Sequence, residues 1–169
     1  SLHLRKGEIL GIAGLLGSGK EMLYRTICGI CPIESGTSLY MGKPYKPASP
    51  KKTIRTGIMC LPAERSIEGL VLEQSISFNL TLAAMSKFSK AGVMNAKKQN
   101  QLATDAAQAV KLKYTKLSNP VNSLSGGNQQ RAMIGRAFST NAKLIVFNEP
   151  TQGVDVGAKQ EIHKLIQNY

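Results

Sequence analysis

The sequence predicts an α/β fold with a mostly parallel sheet, and two stretches of the chain carry this prediction. The first has a buried-strand pattern at residues 9–13, a glycine-rich turn and then a helical pattern at residues 21–28. The second is 144–147, where four apolar residues in a row are typical of a central parallel strand covered on both faces. Strands that alternate with helices indicate a parallel sheet.

The remaining elements follow from shorter signals. Alternation over residues 36–42 predicts a short strand, and a proline-rich connection covers 44–50. Ser49 stands before Pro50 and Gly57 follows residue 56, so a capped short helix is predicted over 50–56. The other predicted elements are a strand at 58–61, a loop at 62–69 and helices over 75–86, 95–112 and 125–139.

The turn before the first helix has the spacing of a phosphate-binding loop, Gly14-Leu15-Leu16-Gly17-Ser18-Gly19-Lys20. Backbone N–H groups at the start of the helix would point at an anion, and the helix dipole favours negative charge there. Lys20 would reach the outer phosphates. The alternative is a simple glycine turn with a surface lysine, which does not account for the full spacing.

Polar residues follow the apolar strand pattern at 144–147. Asn148 and Glu149 come directly after it, at the end where open α/β sheets bind ligands. The alternative is a polar turn that only ends the strand. Two polar side chains at that edge favour a site.

A third motif, Leu124-Ser125-Gly126-Gly127-Asn128-Gln129-Gln130-Arg131, lies between the other two. Together the three motifs resemble the nucleotide-binding domain of ABC transporters. The sequences at 128–130 and 153–159 are similar to those of a narrower group, the C-terminal ATPase halves of tandem proteins that energise monosaccharide importers.

The resemblance implies a P-loop NTPase (RecA-like) core with an inserted helical subdomain. At 169 residues the chain suffices for one domain. We expect residues 1–78 and 125–169 to form the core and 79–124 the helical subdomain. The implied cofactors are ATP and Mg²⁺, and the implied contacts of the chain's own nucleotide are Gly14, Gly17, Ser18, Gly19, Lys20, Glu21 and Met22.

The resemblance also assigns roles at the two later motifs. Glu149 would be the catalytic residue that polarises the attacking water. Ser125, Gly126, Gly127 and Gln129 would bind the ATP held by a second ABC ATPase domain, because two such domains pair head to tail. Ser125 and the glycines would open a helix, which makes a second anion site at a helix N-terminus.

Three positions depart from the family pattern. Glu21 stands where a Ser or Thr hydroxyl normally binds magnesium, Asn148 replaces an acidic residue, and Ala63 occupies the place of a sensor glutamine. Glu21 and Asn148 are therefore the candidate metal residues, with a carboxylate moved to position 21. We expect nucleotide binding to survive and hydrolysis at this chain's own site to be impaired.

The chain is strongly basic, with a formal net charge of +12. Residues 79–124 contain seven lysines against one acid, Asp105. This is either a solvated face or a surface held near anionic headgroups and acidic permease loops. Nucleic acid is the weaker alternative, because the chain has four Phe, five Tyr and no Trp, and no base-stacking motif.

The family resemblance and the lack of a membrane-length segment also predict the location and the partners of the chain. No signal sequence or membrane-length apolar run is found, so we expect a peripheral protein on the cytoplasmic face of the membrane. Its partners would be permease subunits and, indirectly, an extracytoplasmic solute-binding protein. Cys28-Gly29-Ile30-Cys31 lacks a second pair for zinc, and unpaired thiols fit a reducing compartment.

The ends suggest a fragment. The chain starts at Ser1 without a methionine, and an amphipathic pattern runs to its last residues. The family's switch histidine would then lie beyond Tyr169, and His163 would be an ordinary residue on a helix surface. Two alternative functions stay open, a soluble ABC ATPase of DNA repair or translation and a regulatory nucleotide-binding module that never hydrolyses ATP.

Overall fold

A computed structural model describes residues 1–15 and 17–168. Helices and strands are interspersed along the chain, in agreement with the α/β prediction. The helices are α1 (Lys20–Ile27), α2 (Pro50–Arg55), α3 (Ile76–Thr81), α4 (Ala96–Ala109), α5 (Gly126–Thr140) and α6 (Val156–Gln167). The strands are β1 (Leu39–Tyr40), β2 (Lys43–Pro44), β3 (Ile58–Leu61), β4 (Ser89–Lys90), β5 (Val93–Met94) and β6 (Leu144–Phe147).

Strands β3 and β6 pair in parallel, with Ile58 opposite Leu144 and Leu61 opposite Phe147. This pairing brings the segments after both strands to the same edge of the sheet. The two other described pairs, β1 with β2 and β4 with β5, are short antiparallel hairpins. The parallel pair is therefore the part of the sheet that positions the site.

An apolar core of the described residues joins the parallel strand pair to the helices. Helix α5 packs against α3 and α4 on one side and contacts β3 on the other. Its Gly135 lies so close to α3 and α4 that an added Cβ would stand 2.7 Å from Leu80 Cδ2 and 3.3 Å from Val110 Cγ2. Leu80 and Val110 are fully buried. The absence of a side chain at Gly135 lets the three helices approach closely.

One predicted strand is wrong. Residues 9–13 form no strand, and Ile9, Leu10 and Ile12 are 62%, 41% and 49% exposed. Among the described strands, β3 is the one that pairs with β6, so the apolar segment gains no ladder of hydrogen bonds. Strand β6 is consequently half-buried along its whole length, where cover on both faces was expected.

Most other elements agree with the sequence predictions. Ser49 Oγ caps α2 by accepting a hydrogen bond from the Lys52 amide, and β3 and β6 have the predicted bounds. The predicted strand over 36–42 shrinks to β1, and the helix predicted over 75–86 is α3 followed by a 3-10 helix at Leu82–Lys87. The loop at 62–69 contains a π-helical turn, Arg65–Gly69. Leu16 and Tyr169 lie outside the described residues.

Candidate nucleotide site

The turn before α1 has the geometry that its glycines permit. Gly17 and Gly19 have φ angles of +81° and +87°, values that glycine adopts without strain. A Cβ added to Gly14 would collide with the Ser18 side chain. Gly19 is the N-cap residue of α1 and has no side chain to cap it, so the first amides of the helix remain available to an anion.

Lys20 and Glu149 meet at this turn. Lys20 Nζ lies 2.6 Å from Glu149 Oε1, although the residues are 129 positions apart in the sequence. The side chains are 30% and 48% exposed, so the ion pair is accessible to water. Glu149 has a φ of +46°, which is unusual for a residue with a side chain. The phosphate loop and the end of β6 thus form one charged site.

The two candidate metal residues lie in different surroundings. The backbone N–H of Asn148 donates to the Leu61 carbonyl at 2.9 Å. This bond extends the β3–β6 ladder by one hydrogen bond. The Glu21 carboxylate is 64% exposed and lies 3.6 Å from Arg25 Nη1 on the same helix. Within residues 1–15 and 17–168, no hydrogen bond or ion pair joins Glu21 to Asn148.

Magnesium is compatible with these side chains when phosphates complete the shell. No group of three or more His, Cys, Asp and Glu side chains among the described residues would hold a metal alone. Mg²⁺ normally binds through one or two carboxylates together with phosphate oxygens and water. The exposed carboxylate of Glu21 and the side-chain amide oxygen of Asn148 are donors of this kind, and phosphate oxygens and water would complete the shell.

The third motif forms the start of α5, as predicted. Ser125 is the N-cap residue, and its hydroxyl accepts a hydrogen bond from Asn128 Nδ2 at 3.0 Å. Gln129 Nε2 donates to the Leu124 carbonyl at 3.0 Å. A Cβ on Gly127 would lie 3.2 Å from the Ala158 side chain of α6. These bonds hold the helix N-terminus in place and leave Ser125 exposed.

The loop after β3 contains a residue whose role the sequence did not reveal. The guanidinium of Arg65 donates to the carbonyls of Gln152 and Gly153 and to Gln129 Oε1. Glu64 Oε1 accepts a bond from Gln152 Nε2 at 2.8 Å. Neither Glu64 nor Arg65 is identified from the sequence alone, because no local pattern shows which distant carbonyls an arginine will reach.

The cysteines are free thiols in the structure. Cys28 is the C-cap residue of α1 and is buried, and a hydrogen bond to Cys28 together with burial raises the pKa of the Cys60 thiol. Burial raises the pKa of the Tyr24 phenol beside them. The Cys60 thiol and the Tyr24 phenol are therefore neutral at physiological pH.

The lysine-rich segment forms an exposed surface. All seven lysines between residues 79 and 124 are exposed, and Lys87 Nζ also bonds to the Ser139 carbonyl. His163 is exposed on α6, as predicted for an ordinary surface residue. No helix in the described part of the chain is long and apolar enough to cross a membrane.

Comparison with known sequences identifies the family. Residues 1–152 match the ABC transporter family, and the chain belongs to it. This agrees with the three motifs and with the fold, an α/β P-loop NTPase with a parallel strand pair.

The chain is similar to ribose import ATP-binding proteins of several bacteria. It is 41% identical to RbsA 1 of Agrobacterium fabrum and 37% identical to RbsA of Corynebacterium glutamicum, in each case over 98% of this chain and 32% of the relative. The chain thus spans about a third of the length of the curated relatives that it matches.

Solved structures support the fold. An ATP-binding cassette of an ABC transporter superimposes with a TM-score of 0.79 at 26% identity, over 98% of this chain and 67% of that one. A dimeric cassette in a post-hydrolysis state, bound to ADP and Pi, gives a TM-score of 0.77 at 23% identity over 98% of this chain and 70% of that one. The described chain therefore has the fold of an ABC cassette.

Proposed function

We propose that this chain is the ATP-binding part of an ABC importer for ribose or a related monosaccharide. The observation that carries the proposal is the contact between Lys20 and Glu149, which joins the phosphate loop to the acidic end of β6. The free amides at the start of α1 add donors for phosphate oxygens. An ATP phosphate chain would bind there through Gly14, Gly17, Ser18, Gly19, Lys20, Glu21 and Met22.

Each proposed residue has a distinct task. Lys20 binds the outer phosphates and gives up its bond to Glu149 when they arrive. The released Glu149 carboxylate then orients and polarises a water molecule toward the terminal phosphate. Glu21 and Asn148 are the proposed holders of Mg²⁺, which neutralises phosphate charge when it is bound.

The start of α5 serves a second nucleotide. Ser125, Gly126 and Gly127 make no hydrogen bond or ion pair with Lys20 or Glu149 in the described ranges. The exposed Ser125 at this helix N-terminus is therefore available to a phosphate held by another domain. We propose that Ser125, Gly126, Gly127 and Gln129 close over the ATP of a second ABC ATPase domain.

The chain's own magnesium site is altered. Glu21 is turned to solvent and lies near Arg25, while Asn148 supplies no charge. Ala63 has no polar group to contact a phosphate. We propose that ATP binds at this site but turns over slowly, and that the transporter draws most of its hydrolysis from the site that Ser125 completes.

The import role rests on the relatives. They are named as ribose import ATP-binding proteins, and the chain aligns along almost its whole length with a third of each. We propose permease subunits and, through them, an extracytoplasmic solute-binding protein as partners, on the cytoplasmic face of the membrane. The exposed lysines of residues 79–124 suit a position beside anionic headgroups or acidic permease loops.

The experiment compares ATP hydrolysis and sugar uptake by the complete importer carrying Ser125→Arg or Glu149→Gln. Ser125→Arg should abolish uptake and leave the binding of an ATP analogue to this chain's own phosphate loop nearly unchanged. The exposed Ser123→Arg, two positions earlier, is the matched control and should retain uptake. Loss of analogue binding with intact uptake in Ser125→Arg would show that the head-to-tail assignment is wrong.

A second test addresses the magnesium site. Glu21→Thr alone should weaken Mg-dependent binding of an ATP analogue, and the added change Asn148→Asp should restore it, because both act on one ion. Tighter binding of the analogue by Glu21→Thr would instead mean that Glu21 only repels phosphate and that the site is losing its function.

If ATP binds but neither Glu149→Gln nor Ser125→Arg changes hydrolysis in the complex, this chain is a regulatory nucleotide-binding module.

A further inference from the structure

We propose that Arg65 is the positioning residue for Glu149: it holds the turn that starts at Glu149 and ties that turn to the first turn of α5. The inference rests on the proposed function, because Glu149 is the proposed catalytic residue. Within the described residues, Arg65 makes no hydrogen bond or ion pair with Lys20 or Glu149.

The guanidinium uses all three of its nitrogens within the chain. Nη1 donates to the Gln152 carbonyl at 3.1 Å, and Nη2 donates to the Gly153 carbonyl at 3.2 Å. Nε lies 3.4 Å from Gln129 Oε1, at the start of α5. Arg65 thus joins the loop after β3, the turn after β6 and the third sequence motif.

The turn that Arg65 holds is conformationally costly. The backbone N–H of Gln152 donates to the backbone carbonyl of Glu149 at 3.0 Å and closes the turn. Glu149 itself has a φ of +46°. A non-glycine residue in this region persists only where its surroundings hold it. The two carbonyls bound by Arg65 belong to Gln152, which closes the turn, and to Gly153, which follows it, so the guanidinium stabilises the conformation that points Glu149 at Lys20.

Two glycines make room for the guanidinium. A Cβ on Gly126 would lie 3.0 Å from Arg65 Nη2, and a Cβ on Gly153 would lie 3.1 Å from Nη1. These contacts are tighter than most side chains tolerate, so glycine at both positions fits the planar group closely. A lysine at position 65 would keep the positive charge but lose the planar guanidinium, whose two Nη atoms donate to two carbonyls at once.

Glu64 supports the same turn from the neighbouring position. Its Oε1 accepts a hydrogen bond from Gln152 Nε2 at 2.8 Å. Adjacent residues 64 and 65 therefore bind one turn through an acceptor and a donor. A shift of the loop after β3 would be passed to Glu149 and to the start of α5 together.

The test compares Arg65→Lys and Arg65→Met with the wild type, first by hydrogen–deuterium exchange of the backbone amides of residues 151–154. The matched controls are Arg55→Lys and Arg55→Met, at the exposed end of α2. Exchange should accelerate in both Arg65 variants and in neither control. Unchanged exchange in Arg65→Met overturns the inference, whatever the ATPase rate.

The second readout is steady-state ATP hydrolysis by the complete importer in which the partner's catalytic glutamate has been replaced. Arg65→Lys should lower kcat about 10- to 100-fold with the KM for ATP within about two-fold, because a misplaced catalytic group acts on the chemical step. Guanidinium ion below denaturing concentration should partly restore kcat in Arg65→Ala, which a general folding defect would not allow.

The outcomes separate the two proposals. A wild-type kcat in Arg65→Lys, or a raised KM with unchanged kcat, overturns the positioning role. In the complex whose partner glutamate has been replaced, an unchanged rate of hydrolysis in Glu149→Gln contradicts the proposed catalytic role of Glu149. The exchange measurement then still decides whether Arg65 holds the turn.

Discussion

Replacing Glu149 with glutamine should tighten the binding of an ATP analogue to this chain. In the structure, Lys20 Nζ is engaged by the Glu149 carboxylate at 2.6 Å, so this carboxylate competes with phosphate for the lysine. The substitution removes a competitor for Lys20 and a negative charge beside the phosphates. Both effects favour the bound state.

The exposure of the pair limits the size of the effect. The two side chains are 30% and 48% exposed, and ion pairs of this kind contribute about 0.2–1 kcal/mol. Glu149→Gln should therefore lower the Kd up to about five-fold. Lys20→Met loses charged hydrogen bonds to phosphate of about 1.5–3 kcal/mol, so its Kd should rise roughly 10- to 100-fold.

The assay is a fluorescence-anisotropy titration of a labelled ATP analogue. Lys51→Met, at an exposed lysine of α2, is the matched control and should bind like the wild type. Thermal unfolding of each variant checks the fold, since removing an exposed pair changes stability by no more than about 1 kcal/mol.

Weaker binding in Glu149→Gln would refute the reasoning. It would mean that Glu149 contributes to nucleotide binding itself, and that its contact with Lys20 is not a competitor of phosphate. Equal Kd values for Lys20→Met and Lys51→Met would show that Lys20 does not bind phosphate and that the turn before α1 is not the phosphate site.

Three further predictions concern stability. Leu80→Ala, at a fully buried residue against Gly135, should lower the free energy of unfolding by about 2–5 kcal/mol in urea denaturation. Ser49→Ala removes the cap of α2 and should cost about 1 kcal/mol in the same assay, and a cost as large as that of Leu80→Ala would contradict the capping role. The free energy of unfolding should fall as the pH rises past about 10. Burial raises the pKa of the Tyr24 phenol in the folded chain, so this phenol stays protonated there. In the unfolded chain it ionises from about pH 10, which stabilises the unfolded state. Tyr24→Phe should lessen that fall in thermal melts across the alkaline range.

Local signals made several elements predictable. The cap at Ser49 and the glycine at 57 bracket α2, and both bounds of β6 follow from four apolar residues before Asn148. Helix α5 begins directly after Ser125, as its motif predicts. These features depend on neighbours within a few positions, so the sequence contains their causes.

The strand predicted at 9–13 shows where local signals fail. Its residues are apolar and suited to a strand, but a strand exists only with a hydrogen-bonded neighbour. Among the described strands, β6 pairs with β3, and residues 9–13 remain exposed. The apolar pattern of one segment does not show whether another strand lies beside it to form hydrogen bonds.

The sequence by itself determined the family, the glycine-rich turn before α1, the start of α5 and the residue types at positions 21, 63 and 148, because each is a matter of residue type and spacing. Only the tertiary structure decided that Lys20 meets Glu149 and that Arg65 holds the turn between Glu149 and Gly153. Those contacts join residues 87 to 129 positions apart. Their geometry depends on the parallel pairing of β3 with β6, which brings both loops to one edge of the sheet.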